Sequence, residues 1–144
     1  SFDKFCHDFQ PEFLRTEATI FGDAAFDDLT PLRYAGTADF IAKVNGRVLV
    51  GDHKTGKNVY DSAAQQVGAL ANGTHIVSVD GEYLEPIMEI VGGMIVHIGA
   101  KGYKVYEADI DRGWEVFRAY RAVWSFYAES AASRKPILLS EVKK

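Results

Sequence analysis

Cysteine, methionine and proline are scarce in this 144-residue chain, at one, two and four residues. The single Cys6 excludes an intramolecular disulfide and any zinc site built from several cysteines, and it suits a reducing compartment. No apolar run approaches the roughly 20 residues that a membrane span needs. No charged, apolar and then small-residue leader opens the chain, so a cytoplasmic protein without a membrane partner is expected. Sixteen basic against twenty acidic side chains leave a net charge of −4. That balance argues against a wholly basic nucleic-acid face and leaves room only for a local basic cleft. There is no internal repeat and no low-complexity stretch. At 47% apolar, a chain of this length buries about two-thirds of its unfolded surface. One domain over residues 1–144 is expected.

Phe2, Phe5, Phe9 and Phe13 fall at helical spacing, with Pro11 near the end and no clear capping residue at the start. A strand is predicted over Thr16–Phe21, then a polar loop through Thr30–Pro31. Two short strands follow, Gly36–Val44 and Arg47–Lys54, joined by Asn45-Gly46, the strongest short-range hairpin signal. Asp61–Ala71 reads as a helix ended by Asn72-Gly73. Met88–Ile98 and Tyr103–Ala108 read as strands turned at Gly99–Gly102, and Asp111–Ala131 as a long helix capped by Asp109 or Asp111. Helix, three strands, helix, strands, helix is the order of an α/β or α+β domain around one sheet.

A two-residue Asn45-Gly46 loop fixes the hairpin register. Ile41 then faces Val50, Asp39 faces Asp52 and Thr37 faces Lys54. With period two, Asp39, Asp52 and Lys54 project from one face. Like charges directly opposite one another destabilise a sheet. A divalent cation supplies a reason for them: two carboxylates, a backbone carbonyl and waters make a hard-oxygen site for Mg²⁺ or Mn²⁺. Lys54 beside it would orient or deprotonate a water, or neutralise developing negative charge. Solvated strand-end charges are the plainer alternative.

Gly36-Thr37-Ala38-Asp39, Gly46, Asp52-His53-Lys54 with Thr55-Gly56-Lys57, and Gln66 on the next helix together resemble the PD-(D/E)XK nuclease superfamily. The RecB-like branch, with its phage and CRISPR-associated exonucleases, is the nearest pattern, over roughly Phe13–Asn72. The resemblance implies a restriction-endonuclease-like core, a mixed central sheet flanked by helices. It implies metal ligation by Asp39, Asp52 and the His53 backbone carbonyl, with Lys54 as the catalytic lysine. Gln66 would contact the lysine region or the DNA, and Glu17 would support the metal at second shell. It further implies a Mg²⁺- or Mn²⁺-dependent hydrolase of DNA, more exonuclease than endonuclease, in a bacterial or phage-infected cytoplasm. A recombination or replication protein is the kind of partner it suggests. Two departures stand out: Leu70 replaces the usual Tyr four residues after the glutamine, and the usual upstream metal-binding His has no counterpart unless His7 serves. An N-terminal helix upstream of this chain is therefore expected.

Two other readings compete. A catalytically idle nuclease-fold module would bind DNA or serve assembly without cutting it. Gly51 to Asn58 also fits G-x-x-x-x-G-K, but Asn58 stands where a P-loop nucleotide site needs Ser or Thr, and Asp52 would oppose phosphate. His75 and His97 read as isolated histidines. Trp114, Phe117, Tyr120, Trp124 and Tyr127 read as core packing along one helix. Arg112, Arg118 and Arg121 read as solvated charge.

Overall fold

The computed structural model describes residues 1–25, 31–59 and 61–133. The predicted polar loop before Pro31 therefore lies largely outside the described residues. The elements are α1 (Phe2–Phe9), β1 (Glu12–Ala25), β2 (Pro31–Val44), β3 (Arg47–Lys54), α2 (Ser62–Ala71), β4 (His75–Val77), β5 (Leu84–Pro86), β6 (Gly92–Gly99), β7 (Gly102–Ala108) and α3 (Ile110–Ser133). Seven strands form one mixed sheet in the order β5-β4-β1-β2-β3-β6-β7. Among the described strands only β3 and β6 run parallel, because the chain between them crosses over through α2. The expected mixed α/β core is what the chain forms.

Alternation along the central strands separates two cores. Ile41, Val50 and Ile95 face one side with Ala63, Val67 and Leu70 of α2. Phe40, Ala42, Val44, Leu49, Met94 and Val96 face the other, where fully buried Phe5 docks α1. Burying a phenylalanine stabilises by about 2–3 kcal/mol, so Phe5 is the anchor of that helix. α1 does have a cap: the Ser1 side chain accepts from the Lys4 amide at 3.3 Å. Phe13 is not on α1. Gln10 takes a left-handed φ of 47° and ends the helix, which puts Phe13 in β1 with its ring against Phe40 at 5.5 Å.

The strands β1 and β2 are longer than their alternation suggests, and they pair over most of their length. β4 and β5 are three-residue strands, too short for a period to register. The predicted strand from Met88 starts only at Gly92. The Asp109 carboxylate accepts from the Arg112 amide and caps α3. α3 meets α2 through a close pair of glycines. A Cβ on Gly68 would lie 2.6 Å from the Trp114 nitrogen, and one on Gly113 would land on the Ala64 carbonyl. That contact holds α2 down on the sheet face that carries Val50 and Asp52.

Candidate functional site

The hairpin between β2 and β3 has the register expected from Asn45-Gly46. Val44 pairs with Arg47, Ile41 with Val50 and Phe40 with Gly51. Both turn residues have positive φ, 50° for Asn45 and 79° for Gly46, as a type I′ turn requires. The regular ladder stops one step short of Asp39 and Asp52. There the His53 amide donates to Asp39 Oδ2 at 2.8 Å, so a side chain replaces the backbone partner. Thr37 and Lys54, expected to be opposite, are consequently not paired. On the other flank of β2, Glu17 takes a left-handed φ of 47° level with Asp39, and the β1–β2 register slips between Phe13 and Arg15. Asp39 thus sits where pairing is interrupted on both sides, which frees its carboxylate to turn toward β3.

Asp52 is buried. Its carboxyl pKa is raised, first by burial and also by the Asp39 carboxyl within hydrogen-bonding reach, while the Lys54 ammonium pulls it down. Lys54 Nζ stands 2.9 Å from Asp52 Oδ2. That oxygen is shut off from water and has no aligned hydrogen-bond donor, so the lysine offsets its charge without satisfying its lone pairs. An oxygen-lined pair of carboxylates with one unsatisfied buried oxygen fits a hard divalent cation. The His53 imidazole, to which the resemblance gives no ligand role, lies with Nδ1 3.2 Å from Asp39 Oδ2. Its ring packs on Phe2 at 5.7 Å, so α1 reaches the site through His53.

Glu17, Gln66 and His7 make no hydrogen bond or ion pair with Asp39, Asp52 or Lys54 among the described residues. Among the described residues no three His, Cys, Asp or Glu side chains come together as a metal-holding group. Glu17 is exposed and lines a separate cavity of about 450 Å³ with Arg15, Ser78 and Gly81. Gln66 is exposed on α2 and borders a groove of about 490 Å³ with Arg33, Gly36 and Arg121. His7 lies on α1, which covers the opposite face of the sheet from Asp52. It faces solvent and pairs with Asp8 at 3.3 Å. His97 holds the loop after β3 by bonding the Gly56 carbonyl. Gly51, the first glycine of the P-loop-like string, lies inside β3, where the Phe40 ring occupies the space of a Cβ.

Comparison with known proteins finds no matching family model and no matching curated protein. A solved structure titled "Crystal structure of SSO0001" is similar at a TM-score of 0.47 and 16% identity, over 85% of this chain and 54% of that one. This chain therefore spans about half the length of that protein. No helix among the described residues is long and apolar enough to cross a membrane.

Proposed function

We propose that the chain is a RecB-like PD-(D/E)XK nuclease domain, a metal-dependent phosphodiesterase acting on DNA, with exonuclease action as the first expectation. The supporting observation is the meeting of Asp39, buried Asp52 and Lys54 at one interrupted point of the β2–β3 hairpin. A structural sheet gains nothing from opposed carboxylates there. Asp39, Asp52 and the His53 carbonyl would hold Mg²⁺ or Mn²⁺. When bound, that ion supplies a water of lowered pKa and a Lewis acid for the phosphoryl oxygens.

The chain's own residues do the rest. The His53 amide and imidazole fix Asp39. Lys54, 2.9 Å from Asp52 Oδ2, would offset the negative charge that grows on the phosphoryl group and hold the attacking water. Water adds to phosphorus as the P–O bond to the leaving sugar breaks, and the proton lost by the water offsets the one gained by the leaving oxygen. The resemblance implies 5′-phosphate and 3′-hydroxyl ends. Incubation of end-labelled linear and closed circular DNA with Mn²⁺ tests this reading. Cleavage of linear DNA that stops with EDTA and with Lys54→Ala supports it. Failure to cut any DNA in Mn²⁺ or Mg²⁺ would leave the idle DNA-binding module, which buried Leu70 favours, because it packs into the core where the family pattern has Tyr.

A further inference from the structure

Among the described residues α3 carries two apolar faces and packs only one of them. Ile110, Gly113, Trp114 and Phe117 turn toward α2 and the Tyr34 ring. The expectation that the whole aromatic series is core therefore holds only for its first two members. Val116, Tyr120, Val123 and Tyr127 line the second face, flanked by Trp124 and Phe126. Val116 is 37% exposed, and the five from Tyr120 onward are 54–66% exposed.

Steps of four, three and four are the spacing of a seam that one helix presents to another. Positions flanking the seam are Phe117, Ala119, Trp124 and Phe126, and Arg121 lies against the Trp124 ring at 4.7 Å. No cation stands on the seam itself, so a nucleic-acid backbone, which is bound through Lys and Arg, suits it poorly. The seam is self-complementary in one orientation. Run antiparallel, Val116 meets Tyr127 and Tyr120 meets Val123, small against large, whereas a parallel pairing sets Tyr on Tyr and leaves gaps between the valines. At about 150–250 Å² per aromatic side chain, the exposed parts amount to roughly 600 Å² per copy. A symmetric pair would then bury about 1,200 Å², the lower bound of a specific interface.

We infer that this face docks a second copy of the chain, α3 against α3, antiparallel about a two-fold axis. The inference stands apart from the nuclease reading, since the test contains no metal and no substrate. Sedimentation of the full chain in EDTA, over a concentration series reaching about 100 µM, should show a species of twice the 15.9 kDa chain mass. Tyr120→Glu with Tyr127→Glu should return it to the monomer with an unchanged circular dichroism spectrum, and its melting temperature should match that of the wild type diluted to its monomeric range. Both positions are exposed, so the fold tolerates the change. Val116→Glu is a second, independent seam variant with the same expected result. A monomer at every concentration, or a dimer that survives these substitutions, overturns the inference. So does a monomer whose Trp124 fluorescence is quenched by an oligonucleotide, which would assign the face to nucleic acid.

Discussion

Gly113→Ala tests how α2 is held over the candidate site. In a helix interior alanine is favoured over glycine by about 1 kcal/mol, so local propensity alone predicts stabilisation. The geometry predicts the opposite. The new Cβ would fall on the Ala64 carbonyl oxygen, with the Gln65 Cα 3.4 Å away. Both obstacles are backbone of a helix pinned to the sheet by Val67 and Leu70, so neither can rotate aside as a side chain could. Separating α2 from α3 costs about 2–3 kcal/mol, the upper part of the overpacking range because backbone must move, and opens the contact between Tyr34 and Trp114. The net expectation is a loss of about 1–2 kcal/mol after the propensity gain. For a domain of this size that lowers Tm by roughly 3–8 °C. Thermal melts followed by circular dichroism read it directly. An unchanged or raised Tm would refute the close-packed helix pair.

Three further outcomes follow from individual contacts. The Tyr34 hydroxyl donates to the Ala69 carbonyl at 2.7 Å, so Tyr34→Phe should cost about 1 kcal/mol in urea unfolding. Burial pushes the Tyr34 phenol up to about 12, above its unfolded value, so its contribution is present at neutral pH and is lost as pH rises between about 10 and 12. Spectrophotometric titration should show this tyrosine ionising above the ordinary tyrosine range. Asp8 is held below the usual carboxylate range by hydrogen bonds from Tyr103 and Lys4. Its contribution is present above the unfolded carboxylate pKa and is lost as pH falls, so Tyr103→Phe should flatten the acid limb of the stability curve. Burial and Asp39 raise the Asp52 pKa, so its contribution is lost as pH rises through that raised value. Asp52→Asn should therefore melt at or above the wild-type temperature at neutral pH without metal, as scanning calorimetry can show.

The central hairpin was fully legible because Asn-Gly permits one tight turn, and one turn fixes every pairing up to Phe40–Gly51. The ladder's end was not legible. It depends on the Asp39 side chain capturing the His53 amide and on the left-handed backbone at Glu17, and neither leaves a mark in residue type. The resemblance implies a place for Glu17 around the metal, whereas its exposed side chain lines the cavity beside Ser78 and Gly81. The helices were legible from apolar spacing, but spacing says only that a face is apolar, not that anything covers it. Tyr120, Trp124 and Tyr127 continue the series of Trp114 and Phe117 without a break, yet they are exposed where the first two are half-buried. His7 was weighed as a ligand by its distance along the chain, which carries no information about which sheet face α1 covers.

The pairing of Asp39 and Asp52 as a divalent-cation site is tested most directly by the melting temperature as Mn²⁺ is added to the wild type and to Asp52→Asn. A cation that binds only the fold stabilises by about 2.7 kcal/mol at a hundredfold excess over its Kd, a rise of roughly 5–10 °C for a domain of this size. The account predicts that rise in the wild type, its reversal by EDTA and its loss in Asp52→Asn. No rise in the wild type, or an equal rise in Asp52→Asn, would contradict it.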